Sequence, residues 1–272
     1  MNYQNACPTF AISAVDVHAH FGLNCPKGVD KPEPYGNGDA EVVAQRARRS
    51  NIRWTIVSPL KALYPEGQGD VLEGNREAAE VVERIPGLLQ WAVLSPMTPE
   101  SFDQISDLAQ SPRCAGIKIH PEMHKYHIKD HGHALFEFAA RHGLVIITHS
   151  GESLSLPEDF VPFADAFPEV RLIVAHLGCS CDEDLTHQVR AVQMSKHGNI
   201  YIDTSSAMNI TSDLLEYAVS EVGAERLLFG TDTPVYVVPM QRARIDWAEI
   251  AEEDKRKILN DNAVALLGDI VA

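Results

Sequence analysis

The chain has 272 residues, 45% of them hydrophobic and 22% charged, and 23 Lys+Arg against 38 Asp+Glu give a formal net charge of −15. That balance excludes a disordered chain, and a core of this size needs no disulfide or metal staple to fold. So acidic a surface repels phosphate backbones and anionic lipid, which sets nucleic acid and membrane partners aside.

Short, β-branched apolar runs predict strands at Ile12–His18, Ile52–Ser58, Leu88–Ser95, Ala115–His120, Leu144–His149, Arg171–His176, Ile200–Thr204 and Arg226–Asp232. Their near-continuous apolar character suits strands buried on both faces. Helical patterns lie between them: Ala40–Ser50 capped by Asp39, Arg76–Ile85 after Asn75, Phe102–Gln110 after Ser101, and Ala134–His142 before Gly143. Glu158–Phe167, Asp184–Lys196 and Ser212–Val222 follow, and Asp246–Leu259 and Ala263–Leu267 close the chain. A strand, a helix and two loops take about 30 residues, the rhythm of repeated βα units. Without a break in composition, the pattern predicts one domain over residues 1–272, an α/β fold of the single (β/α)8 TIM barrel type. A doubly wound open sheet is the second reading, and the absence of a GxGxxG turn counts against it. The Gly- and Pro-bearing connections Phe21–Gly38 and Leu60–Gly74 are expected at the C-terminal mouth as lids or specificity loops.

The five cysteines, Cys7, Cys25, Cys114, Cys179 and Cys181, form no CxxC pair, and no apolar run approaches the ~18 residues of a membrane helix. With no secretory signal at the N-terminus, a reduced, cytoplasmic protein is expected.

Chemistry concentrates where the predicted strands end. The first ends Asp16-Val17-His18-Ala19-His20, and side chains two apart on a strand face one way, so both imidazoles can converge. The fifth ends at His149, the sixth at His176 and the eighth at Asp232. In a barrel these ends ring one mouth. Three neutral imidazoles and a carboxylate suit a divalent ion, so His18, His20, His149 and Asp232 are the expected ligands, with a position open for water or substrate. Zn2+ is the first expectation, with Mn2+, Co2+ or Fe2+ as alternatives. Asp232 and His176 are the expected catalytic groups for moving protons. On the fourth strand, Lys118 interrupts a buried run and His120 shares its face, so both are expected to bind substrate. Lys118 and His176 become second-metal ligands if two ions are held, Lys118 then through a carbamylated amine. His124, His127, His131 and His133 read as solvent-exposed loop residues, and Arg242 and Arg244 as a solvated helix face.

As an ordered set, the HxH motif, Lys118-Ile119-His120-Pro121, His149, His176 and Gly230-Thr231-Asp232 resemble the amidohydrolase superfamily. The closing Asn260-Asp261-Asn262-Ala263 and Leu266-Leu267-Gly268 are similar to its amidohydrolase 2 group, and the resemblance runs from Val15 to Gly268. It implies a barrel with metal on His18, His20, His149 and Asp232 and with His176 as acid/base. The lysine at 118, where related deoxyribonucleases usually carry glutamate, argues with the charge against DNA processing. The expected activity is metal-dependent hydrolysis of an amide, ester or lactone in a small carboxylated substrate, by metal-activated water. The alternative is non-oxidative decarboxylation of a small aromatic or unsaturated acid on the same site. The expected partner is that small molecule, and a homodimer is left open.

Overall fold

Apolar runs buried on both faces build the wall of a barrel in the computed structural model, which describes residues 10–23, 35–64, 69–206 and 210–272. Eight parallel strands follow one another in chain order: β1 (Ala14–Phe21), β2 (Ile52–Pro59), β3 (Leu88–Val93), β4 (Cys114–Ile119), β5 (Val145–Thr148), β6 (Leu172–Val174), β7 (Ile200–Asp203) and β8 (Leu227–Leu228). The chain beyond β8 returns to β1, where Val17 N donates to Phe229 O at 2.9 Å, Asp232 N to His18 O at 2.7 Å and His20 N to Thr233 O at 2.6 Å. The expected TIM barrel is thereby present and nearly closed. None of the described helices is long and apolar enough to cross a membrane.

The barrel interior is filled by side chains from alternate positions, Val15, Val17, Ile56, Leu89, Trp91, Val145, Ile147, Ile173 and Leu228, with Ala263, Leu266 and Val271 packed among them. One irregularity in β1 decides what lies above this plug. The β1–β2 register slips between Asp16 and Ala19. Below the slip the odd residues Val15 and Val17 face inward; above it the even residues His18 and His20 do. A bulge re-aims side chains in this way. Trp91 Nε1 donates to the Val17 carbonyl at 2.8 Å, satisfying a group that the slip takes out of the ladder with β2.

Several helices begin or end elsewhere than the pattern predicts. The helix expected from Arg76 starts at Val71, capped by Asp70 Oδ1 accepting from Glu73 N at 2.8 Å. Asn75, expected as its cap, lies inside it and binds the backbone of Val93 at 2.8 and 2.9 Å. The connection expected over Leu60–Gly74 therefore holds the short helix Leu60–Leu63 as well as this helix start. Residues 24–34 and 65–68 of the two expected mouth loops lie outside the described residues, as do Cys7 and Cys25. His124 is buried rather than solvated, with Nε2 donating to Ala62 O at 3.0 Å, and His131 and His133 sit on the helix Ile128–His142 rather than in a loop. The closing helix expected over Asp246–Leu259 does not form as one piece: a helix over Val238–Asp246 ends where it was to begin, and Glu252–Arg256 and a π turn over Lys257–Asp261 follow. Lys255 Nζ reaches back to cap the Asp246 carbonyl at 3.1 Å. Arg242 and Arg244 are also not a solvated face. Arg242 is fully buried and pairs with Asp246 at 2.6 Å, while Arg244 donates to the carbonyls of Thr204 and Ser206.

Candidate metal centre and active site

The strand ends meet at one cavity of about 130 Å3, floored by His18, His20, Lys118, His120, His149, His176 and Asp232. Leu60, Leu63, Tyr64, Met123, Val235 and Tyr236 supply much of its wall. Donor atoms of His18, His20 and Asp232 lie within 4.8 Å of one another, and all three residues are buried. His20 Nε2 is 2.9 Å from Asp232 Oδ1, and His18 Nε2 is 3.6 Å from the same oxygen.

His18 Nδ1 donates to Asp203 Oδ2 at 2.7 Å, which leaves the His18 Nε2 lone pair turned toward the site. Ser58 offers His20 Nδ1 both a hydroxyl at 2.8 Å and a carbonyl at 3.1 Å. With the hydroxyl donating to Nδ1, His20 Nε2 donates to Asp232; with Nδ1 donating to the carbonyl, Nε2 presents a lone pair. In the second arrangement two imidazole lone pairs and a carboxylate converge, a donor set that fits a divalent ion.

His149 stands outside that trio. It stacks on His120 with ring centroids 4.2 Å apart, its Nδ1 is 3.1 Å from His176 Nε2, and its Nε2 is 2.8 Å from Glu152 Oε1. His176 Nδ1 is 2.7 Å from Ser205 Oγ, and Ser205 Oγ donates to Asp203 Oδ1. The result is a chain of four links from the half-exposed Glu152 to the buried Asp203. These groups form one continuous hydrogen-bonded path, along which a proton can pass without movement of heavy atoms.

Lys118 Nζ donates to His18 Nε2 at 2.9 Å. Burial pushes its pKa down to about 8, against the pull of Asp203 and Asp232. Burial likewise holds His18, His120 and His176 well below the usual imidazole range, helped at His18 by the Lys118 charge and at His176 by His18. These rings are neutral, the state in which imidazole binds a cation. For Asp232, burial works to raise the pKa, but hydrogen bonding to His20 and the charges nearby outweigh it and leave the value lowered. A second group, His18, His176 and Asp203, also falls within 4.8 Å, but His18 and Asp203 are bonded to each other and both His176 ring nitrogens have partners in Ser205 and His149. Two site residues, His176 at φ 70° and Asp232 at φ 54°, adopt the left-handed backbone region, where strain gathers at functional positions.

Every residue expected from sequence to bind metal or substrate or to move protons lines this cavity. Asp203, Ser205, Glu152, Tyr64 and Tyr236 were missed. The signal for two of them was present, since Asp203-Thr204-Ser205-Ser206 is a polar end to an apolar run like the others.

A family model described as Amidohydrolase matches residues 15–268. No curated protein matches the sequence. Among solved structures, 2,6-dihydroxybenzoate decarboxylase from Rhizobium is similar at TM-score 0.72 and 16% identity, over 94% of this chain and 98% of that one. A 5-carboxyvanillate decarboxylase from Sphingomonas paucimobilis is similar at TM-score 0.70 and 15% identity, over 94% and 99%. Another, from Novosphingobium aromaticivorans and complexed with manganese and a nitrobenzoic acid, is similar at TM-score 0.72 and 14% identity, over 94% and 96%. At these identities the likeness is one of fold.

Proposed function

The chain belongs to the amidohydrolase family, and from that premise we propose that it is a metal-dependent, non-oxidative decarboxylase of a small aromatic or unsaturated acid. The observation that carries this reading is the cavity. Its volume of about 130 Å3 is close to the ~150 Å3 in which an engineered protein cavity takes up benzene, so it suits one ring. Its floor joins an ammonium to cation donors, and its wall is largely apolar, which suits a flat carboxylate. The solved structures of similar fold named as 2,6-dihydroxybenzoate and 5-carboxyvanillate decarboxylases support the same choice over hydrolysis.

His18, His20 and Asp232 would hold the divalent ion; His149, the fourth ligand expected from sequence, instead has its two ring nitrogens against Glu152 and His176 and serves the proton path. Zn2+ and Mn2+ both suit these donors, and a structure of similar fold is complexed with manganese. When bound, the ion supplies positive charge beside the substrate's oxygens. Lys118 binds the carboxylate and orients the bond to be broken. That C–C bond breaks heterolytically, CO2 departs, and the electron pair stays on the former ring carbon. His176 gives that carbon a proton from Nε2 and is reprotonated along the chain through His149 and Glu152. The apolar wall excludes water from the carbanionic carbon until His176 has acted.

Protein loaded with Mn2+ or Zn2+ and assayed against aromatic acids, lactones and amides should release CO2 from an aromatic acid. His18→Ala and Asp232→Ala should abolish turnover while circular dichroism keeps its barrel signature. Ring opening of a lactone or cleavage of an amide, with no CO2, would replace this reading by the hydrolysis expected from sequence.

A further inference from the structure

Asp203 lies fully buried at the end of β7, and its two oxygens serve four donors. Oδ2 accepts from His18 Nδ1 at 2.7 Å. Oδ1 accepts from the amides of His176 at 3.0 Å and Ser205 at 2.9 Å, and from the Ser205 hydroxyl. That hydroxyl oxygen stands 2.7 Å from His176 Nδ1. Two further features show packing arranged around this carboxylate. At Gly230, a Cβ would lie 3.0 Å from the Cβ atoms of both His18 and Ser205 and 3.4 Å from Asp203 Cγ, so the bare backbone lets the three approach. His176 holds a left-handed φ of 70°, and its amide is one that Asp203 accepts.

We propose that Asp203 is a positioning residue that sets the tautomer of His18 and the aim of His176 together. With its proton on Nδ1, His18 keeps the Nε2 lone pair that a cation needs, a consequence that rests on the metal-centre reading above. Asparagine cannot do both tasks. Its oxygen can face His18 or the two amides, and its NH2 group then confronts the other side. With NH2 toward His18, the ring proton must move to Nε2, and the lone pair is lost.

The test uses the whole chain as wild type, Asp203→Asn and Ser205→Ala. Long-range 1H–15N spectra of the metal-free proteins report the His18 tautomer, and chelator competition gives the Mn2+ Kd. Wild type should carry the His18 proton on Nδ1. Asp203→Asn should move it to Nε2 and weaken Mn2+ by about 10–100-fold. Ser205→Ala should keep the tautomer and the affinity while lowering kcat: the hydroxyl's contacts to His176, to Asp203 Oδ1 and, at 3.1 Å, to His18 Nδ1 are cut, but the shorter His18–Asp203 bond that sets the tautomer remains. An Nε2 proton on His18 in wild type overturns the proposal, even if Asp203→Asn proves unable to fold. So does an Asp203→Asn protein with unchanged tautomer and Kd. Absence of any Mn2+ binding by wild type would instead sink the metal-centre reading, and the tautomer would still decide the role of Asp203.

Discussion

Lys118 brings its charge within 2.9 Å of a neutral imidazole, with Asp203 and Asp232 as the carboxylates that act on it. An ammonium so placed is held for a partner that arrives with the substrate. Lys118→Met keeps length and apolar bulk while removing the charge, so the barrel should fold and carboxylate binding should suffer. A charge-assisted hydrogen bond is worth ~1.5–3 kcal/mol, so KM is expected to rise about 10–100-fold, read from steady-state kinetics. At this scale the sequence was most legible where one rule applied, a polar residue ending an apolar strand, which found His18, His149, His176 and Asp232, while Lys118 stood out as a charge interrupting a buried run, with His120 on its face. Asp203 obeys the same rule and was passed over because carboxylates at strand ends are common and its partners are distant in sequence. Tyr64 and Tyr236 carry no periodic mark at all; only the folded cavity brings them to its wall.

Helices shape the cavity at second hand. Leu60 and Leu63 line it from the short helix Leu60–Leu63, which rests on the longer helix Val71–Arg84 at Gly74. A Cβ on Gly74 would stand 2.8 Å from both the Cβ and the backbone N of Ala62. Gly74→Ala should therefore cost about 1–3 kcal/mol of stability by overpacking and shift the pocket wall, visible as a lower Tm together with a raised KM. A second device ties the loop after β6 to the helix Pro157–Ala166. His187 Nδ1 meets Glu158 at 2.8 Å and its Nε2 meets Asp182 at 2.9 Å, while Arg190 joins Glu158 and Asp184. Burial opposes the charge on His187, but the bonds to Glu158 and Asp182 outweigh it and raise its pKa above the usual imidazole value. Its contribution is therefore complete below the unfolded value of about 6.5 and fades as pH rises through the higher folded one. Solvent screening limits this contribution to about 1 kcal/mol or less. Tm scans from pH 5 to 9 should show wild type losing an advantage over His187→Gln of at most about 2–4 °C. The helix cores were readable from their apolar stripes, but their ends were not. Asp70 rather than Asn75 caps one helix because Asn75 is committed to the edge of β3.

For the whole molecule, βα repetition in the sequence was enough to foresee a barrel, whereas closure was not foreseeable. Ladder pairing in β8 spans only Leu227–Leu228, and the seam is completed by irregular bonds to β1 that no periodicity announces. The opposite pole is sealed by the chain's own end. Arg53 donates to the Val271 carbonyl and, at 2.7 Å, to Asn260 Oδ1, while Arg171 donates to the Leu266 carbonyl. Arg53→Ala would leave that end unpinned and should cost about 1–3 kcal/mol, with Tm falling by ~2–4 °C for each kcal/mol.

The slipped register of β1 makes the path of the backbone, as much as residue identity, a condition of catalysis. Were this strand an unbroken pleat at its present length, His18 and His20 would fall on the face opposite Val15 and Val17 and turn toward the helical jacket. Every ligand would still be encoded, yet the centre could not assemble. A descendant whose strand straightened could thus fall silent while its motif reads as intact.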